Sequence, residues 1–92
     1  QQMLTLLGKN SAEERVASLL LSISSRNHHR NLSPTRFRLS MSRAEIGNYM
    51  GLTVETVSRV FSRLQKQEVI GVDNREVEIL DMARLKSVAN VT

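Results

Sequence analysis

The chain has 92 residues, enough for one small domain, and 40% of them are hydrophobic, so an apolar core can form. It contains no cysteine, which excludes disulfides, thiolate metal sites and iron–sulfur ligation in this chain and suits a reducing, cytoplasmic setting. The formal net charge is +4, but eight basic and two acidic residues give the segment from Arg26 to Lys66 a charge of +6, which indicates either a polyanionic partner or a solvated arginine-rich surface.

Residues 1–9 place Met3, Leu4 and Leu7 on one helical stripe but have no helix-start signal. Because the chain opens with Gln1 rather than methionine, we expect these residues to be the end of a longer helix in a longer protein. No signal peptide and no apolar run of about 18 residues is visible, so no membrane segment is predicted.

A folded domain is predicted over residues 10–92, and it begins with a helix. Ser11 with Glu14 fits a capping box, in which each side chain accepts a hydrogen bond from the other residue's amide. Apolar residues follow at helical spacing, and we expect this helix to end near Ser25. Residues 27–35 are rich in Asn, His and Ser and include the only proline, which predicts a loop.

A short strand and a second helix come next. The alternation of RFRLSM over residues 36–41 is typical of a half-buried strand. Ser42 and Glu45 form a second capping box, and Gly47 is predicted to allow close approach of the following helix. The predicted buried stripe of this second helix consists of Ile46, Tyr49 and Met50.

A third helix and a hairpin complete the pattern. Gly51 suits the left-handed conformation that ends a helix, and Thr53 caps a third helix that should run to about Gln67. Residues 69–72 and 77–80 read as two short strands joined by a turn, before a last short helix. This order predicts an α+β domain of winged helix-turn-helix type, with a small three-helix core and a β-hairpin wing.

The third helix has two unlike sides. Its apolar side is expected to dock on the second helix, and its polar side carries cations one turn apart, as a helix in a phosphate-lined groove requires. The apolar side consists of Val57, Val60, Phe61 and Leu64. The polar side consists of Glu55, Ser58, Arg59, Ser62, Arg63 and Lys66, with Val54 at its leading edge.

Four of these side chains match the chemistry of base edges. Arg59 can donate two hydrogen bonds to guanine, and Val54 can contact a thymine methyl group. Glu55 can accept from a cytosine amine or orient Arg59, while Ser58 is small and adaptable. Each has an ordinary explanation alone, since Glu55 and Arg59 form a common i,i+4 pair. Because all four lie on one capped helix, together they favour DNA binding as the function.

The stretch SRAEIGNYMGLTVETVSRVFSRLQKQEVI resembles the helix-turn-helix of the CRP/FNR superfamily of bacterial transcription regulators, and its FNR/Anr-like branch more than the cyclic-AMP branch. The likeness extends through AEERVASLLLSIS and SPTRFRLSMSR to the hairpin and fades after Leu80. The resemblance implies sequence-specific binding to double-stranded DNA, with a recognition helix of about residues 53–67 in the major groove.

The resemblance also implies roles for residues at matching positions. It assigns the reading of a TTGAT-type half-site to Val54, Glu55, Ser58 and Arg59. It implies phosphate contacts at Ser42, Arg43, Thr53, Thr56, Asn74 and Arg75, and charge adds Arg63 and Lys66 to that set. The loop after the first helix is similar to a region that contacts RNA polymerase, which implicates Arg30, Pro34 and Arg36.

Other expectations concern parts of the protein outside this domain. Residues 1–9 would end a dimerisation helix, so we expect a homodimer of the intact protein and weak or absent dimerisation of this chain. The family's sensor domain would carry a [4Fe–4S] cluster, whereas no cofactor and no metal is predicted for this chain, because the adjacent His28 and His29 lack further ligands.

Catalysis has no support in the sequence. No nucleophile–base pair, glycine-rich phosphate loop or metal motif is present, so the chain is not predicted to be an enzyme. The alternative to DNA binding is a protein-interaction module on a winged-helix scaffold. That alternative predicts little salt dependence and an exposed apolar patch.

Overall fold

The computed structural model describes residues 11–90, so the helix end predicted over residues 1–9 lies outside the described residues. The elements are α1 (Ala12–His29), β1 (Arg36–Arg38), α2 (Arg43–Met50), α3 (Val54–Lys66), β2 (Ile70–Asp73), β3 (Glu76–Ile79) and α4 (Met82–Val88). Their order and the hairpin confirm the predicted α+β winged helix-turn-helix. Across residues 11–90, no helix combines the length and the apolar character needed to cross a membrane.

Helix α1 is about one turn longer than the sequence predicted. It continues to His29 rather than ending near Ser25. It stops because Asn31 adopts the left-handed conformation, with φ of 60°, and the Leu32 amide donates to the Asn27 carbonyl at 2.8 Å. The first three residues of the predicted loop, residues 27–29, therefore belong to the last helical turn, while residues 30–35 lie outside the helix.

The turn between α2 and α3 forms as predicted. Both halves of the second capping box are present, with the Glu45 amide 3.1 Å from Ser42 Oγ and the Ser42 amide 2.8 Å from Glu45 Oε1. Gly51 ends α2 in the left-handed conformation, with φ of 72°. Thr53 Oγ1 accepts from the Thr56 amide at 3.1 Å and caps α3. These local signals thus fix the start of α2, its end and the start of α3.

Gly47 brings this turn against α2. The Leu52 amide donates to the Gly47 carbonyl at 2.7 Å, and a Cβ added at Gly47 would lie 2.5 Å from the Leu52 carbonyl oxygen. The predicted close approach is therefore present, but the neighbour is the backbone of the turn rather than α3 itself.

The three strands form one antiparallel sheet with β3 in the middle, in the order β1-β3-β2. Phe37 pairs with Val77 on the buried face, and Arg38 pairs with Glu76 on the exposed face. The strand predicted over residues 36–41 ends at Arg38, which pairs with Glu76, the first residue of the central strand. Beyond it, the Leu39 amide donates to the carbonyl of Arg75 in the turn at 2.8 Å.

The core is built almost entirely from aliphatic side chains, since the chain has only three aromatic residues. Its largest fully buried members are Leu20, Leu39, Ile46, Leu64, Ile70 and Leu85. The prediction that Tyr49 is buried was wrong, since 73% of it is exposed. Helix α2 has only eight residues and buries a narrow side around Ile46 and Gly47, while Tyr49 follows the exposed Glu45 by one turn.

The turn that follows helix α3 contains a residue with an unfavourable backbone conformation, which yields a stability prediction. Glu68 has φ of 59°, and the next amide, of Val69, donates to the Leu64 carbonyl at 2.9 Å. Glycine adopts this conformation without a Cβ clash. We therefore expect Glu68→Gly to raise the free energy of unfolding by about 0.5–1 kcal/mol, measured by urea denaturation.

The control for this substitution is Glu68→Ala, which removes the carboxylate but keeps the Cβ. It should give no gain in stability. An equal gain from both variants would show that charge, and not backbone conformation, sets the effect.

Candidate nucleic-acid interface

Helix α3 separates an apolar side from a polar side, as predicted. The apolar side is buried against the rest of the domain through Val57, Val60, Phe61 and Leu64. The outward side forms one shallow, open depression lined by Val54, Glu55, Ser58, Arg59 and Ser62. The four residues predicted to read bases are therefore together on one exposed surface. Four of its five side chains are polar, as expected of a helix face that enters a groove.

Glu55 and Arg59 lie one turn apart on this surface. Among residues 11–90, the ion pairs are Arg36–Glu78, Arg38–Glu76 and Arg63–Glu13, so no ion pair joins Glu55 to Arg59. The prediction that Glu55 orients Arg59 has no support in this state. Both side chains remain exposed for contacts outside the chain.

The threonines at the start of α3 hydrogen-bond to each other. Thr53 Oγ1 accepts from the Thr56 amide and donates to Thr56 Oγ1 at 2.9 Å. Ser42 is similarly used by its own capping box at the start of α2. All three predicted phosphate contacts thus lie at helix N-termini, where amides and dipoles favour anions.

Arg43 connects α2, α3 and the hairpin turn. Its guanidinium carbon lies 4.4 Å from the centre of the Phe61 ring, and its Nη2 donates to the Asn74 carbonyl at 2.8 Å. Burial, and then the nearby charge of Arg75, lower the pKa of Arg43. The sequence predicted only a phosphate contact here, and no pattern in it signalled this internal role.

The hairpin turn, which forms the wing, is held from two sides. Asn74 has φ of 61°, a conformation that asparagine tolerates better than most residues. Arg75 Nη1 donates to the Ser40 carbonyl at 3.0 Å, while Arg43 binds the Asn74 carbonyl. The two predicted wing contacts are therefore fixed relative to α2 and α3.

The two cations near the end of α3 have different surroundings. Arg63 Nη1 lies 2.6 Å from Glu13 Oε2 of α1, an ion pair that the sequence gave no reason to expect. Lys66 is exposed at the last turn of the helix. The structure thus places both predicted phosphate contacts at the surface, but Arg63 already has an anionic partner.

The residues predicted to contact RNA polymerase lie elsewhere. Arg30 is exposed at the C-cap of α1, and Pro34 is half-buried in the following loop. Arg36 lies on β1, with its Nε 3.5 Å from Glu78 Oε2. None of the three lines the depression on α3. They lie in and beside the segment that joins α1 to β1, outside that depression.

Metal ligands do not come together in the described part of the chain. Over residues 11–90, no group of three or more His, Asp or Glu side chains could hold a metal ion. His28 and His29 are exposed at the end of α1, with ring centres 6.0 Å apart. The chain contains no cysteine, so it offers no thiolate to an iron–sulfur cluster.

Comparison with known sequences identifies proteins that are similar to this chain. The sequence pattern of the Crp-like helix-turn-helix domain matches residues 14–88. The chain is 54% identical over 89 residues to the transcriptional activator protein Anr of Pseudomonas protegens, covering 97% of this chain and 36% of that protein. It is 48% identical over 92 residues to the fumarate and nitrate reduction regulatory protein of Vibrio cholerae, covering 100% and 37%. The chain thus spans about a third of these relatives' length.

Solved structures show the same fold. The structure of FixK2 from Bradyrhizobium japonicum matches with a TM-score of 0.71 and 38% identity, covering 85% of this chain and 38% of that one. The structure of DNR from Pseudomonas aeruginosa matches with a TM-score of 0.73 and 26% identity, covering 95% and 37%. The likeness again concerns one part of a longer protein.

Proposed function

Because the chain belongs to the CRP/FNR superfamily, in its FNR/Anr-like branch, through its Crp-like helix-turn-helix domain, we propose that it binds double-stranded DNA sequence-specifically and regulates transcription. Helix α3 would lie in the major groove, as recognition helices of this motif do. The observation that carries the proposal is the exposed polar surface of α3, on which four base-compatible side chains lie together.

The proposed base contacts follow the chemistry of each side chain. Arg59 donates two hydrogen bonds to the guanine of a TTGAT-type half-site, and Val54 contacts a thymine methyl group. Glu55 accepts from a cytosine amine on the opposite strand, and Ser58 bonds to an adjacent base. The absence of an ion pair between Glu55 and Arg59 within residues 11–90 supports separate roles for the two side chains.

Phosphate contacts would surround this surface and set the register of the helix on the duplex. The helix N-termini supply Ser42, Thr53 and Thr56, and the wing supplies Asn74 and Arg75. Arg43, Arg63 and Lys66 add positive charge. Arg43 would also hold the wing at a fixed distance from α3, since it contacts both.

The remaining proposals concern the intact protein. A cytoplasmic homodimer would present two copies of α3 to half-sites about 34 Å apart, one turn of the double helix. Arg30, Pro34 and Arg36, in and beside the segment that joins α1 to β1, would contact RNA polymerase. Their separation from the α3 surface supports this role, because bound DNA would leave them accessible.

The test is a salt titration of binding to two duplexes of equal length, one with a TTGAT-type half-site and one with a scrambled half-site. We expect tighter binding to the first, with log Kobs falling by about 0.9 per log unit of salt for each phosphate contact. Fluorescence anisotropy would measure the affinity for each duplex and its dependence on salt. Equal binding to the two duplexes would contradict sequence-specific recognition, and weak salt dependence would favour a protein-interaction module.

A further inference from the structure

An ion pair joins the start of α1 to the last turns of α3. Glu13 Oε2 lies 2.6 Å from Arg63 Nη1, although the two residues are 50 positions apart in sequence. The pair borders a shallow groove that is also lined by Thr56 and Arg59. Three residues proposed to contact DNA, Thr56, Arg59 and Arg63, therefore share this groove with a carboxylate.

A carboxylate is an unexpected neighbour for a phosphate-binding surface, because it repels the DNA backbone. Glu13 lies in the first turn of an 18-residue helix, where the helix dipole stabilises its charge. Side chains of the pair remain accessible, with 52% of Arg63 and 36% of Glu13 exposed. Exposed ion pairs contribute little to folding stability, so a contribution to stability does not account for this contact.

From this geometry we infer that Glu13 is a positioning residue that holds Arg63 and limits the affinity of the domain for the phosphate backbone. The inference rests on the proposed DNA binding. In the free protein Arg63 is neutralised by Glu13, so a phosphate must compete with a carboxylate for the same guanidinium. A basic surface of this kind otherwise binds any duplex, because phosphate contacts carry no sequence information. Glu13 would keep such non-specific binding weak.

The expected consequence is tighter DNA binding when Glu13 loses its charge. Glu13→Gln frees Arg63 for one more phosphate contact, which steepens the slope of log Kobs against log salt by about 0.9. At about 0.1 M salt we expect binding to both the TTGAT and the scrambled duplex to tighten by about 3–10-fold, since phosphate contacts are made to any duplex.

The experiment measures the 92-residue chain with Glu13→Gln, Arg63→Gln and both substitutions, on both duplexes. If Glu13 acts through Arg63, the substitution Arg63→Gln alone weakens binding to both duplexes alike, and it removes most of the gain that Glu13→Gln brings. Glu78→Gln is the matched control, because it removes the same charge from the exposed pair with Arg36 on the sheet. That control should leave affinity and salt slope near those of the wild type.

Three results would overturn the inference. These are no gain from Glu13→Gln, an equal gain in the Arg63→Gln background, and an equal gain from Glu78→Gln. Thermal unfolding checks each variant, and Glu13→Ala replaces Glu13→Gln if the latter alters folding. Sequence-specific binding would be contradicted separately if the wild type bound the two duplexes equally. In that case the effect of Glu13→Gln could still be measured on the scrambled duplex. A wild type that binds neither duplex overturns both.

Discussion

Replacing Gly47 with alanine is expected to destabilise the domain by about 1–3 kcal/mol, the usual cost of forcing extra atoms into a packed site. The new Cβ would lie 2.5 Å from the Leu52 carbonyl oxygen, which belongs to the backbone of the turn and cannot rotate away like a side chain. This cost outweighs the gain of about 1 kcal/mol that alanine brings to a helix interior. The turn must move, and α3 must move with it.

The measurement is thermal unfolding, in which each kcal/mol shifts the midpoint by roughly 4–8 °C for a domain of this size. Gly71→Ala is the control, because its Cβ would meet only the Leu80 Cδ1 atom, at 4.0 Å, which is an ordinary contact. That variant should unfold near the wild-type temperature. A Gly47→Ala protein as stable as the wild type would show that the turn can shift without cost.

Arg59→Ala is expected to weaken binding to the TTGAT duplex by about 1–3 kcal/mol, which corresponds to roughly 5–150-fold. The reason is the loss of two hydrogen bonds to one guanine, made from an exposed position on α3. The scrambled duplex should lose much less, because there Arg59 contributes only charge. Competitive band shifts with both duplexes measure the difference.

Arg59→Lys separates charge from geometry at this position. Lysine keeps the positive charge but not the planar fork that binds guanine through two bonds, so the salt slope should remain while the preference for the TTGAT duplex falls. Arg38→Ala removes an arginine from the sheet instead and should affect both duplexes weakly and equally. Arg59 would not be a base reader if Arg59→Lys and Arg59→Ala discriminated between the duplexes as the wild type does.

Much of the fold follows from local signals in the sequence. The capping box at Ser42, the left-handed Gly51 and the Thr53 cap fixed the helix-turn-helix within a residue or two. Each acts over three or four residues, so the sequence alone contains the information. The grouping of the base-reading candidates was equally predictable, because helical periodicity places them on one side.

Features that depend on packing between distant elements were not predictable. Tyr49 is exposed because α2 is short and buries only one narrow side, which periodicity does not show. The contacts of Arg43 with Phe61 and Asn74 require three elements to be assembled. The same holds for Arg15, whose Nη1 donates to the Met50 carbonyl at 2.6 Å and ties α1 to the end of α2. For Arg43 and Arg15, the sequence shows the chemistry of the side chain but not the residue that it contacts.

The outward side of α3 is expected to enter the groove of DNA. Amide chemical shifts recorded during titration with the TTGAT duplex would show this, since they locate the bound ligand residue by residue. We expect the largest changes at Val54, Glu55, Ser58 and Arg59, with smaller ones at the wing and at the start of α2. Changes concentrated on the exposed face of the sheet, around Arg36 and Glu78, with α3 unaffected, would contradict it.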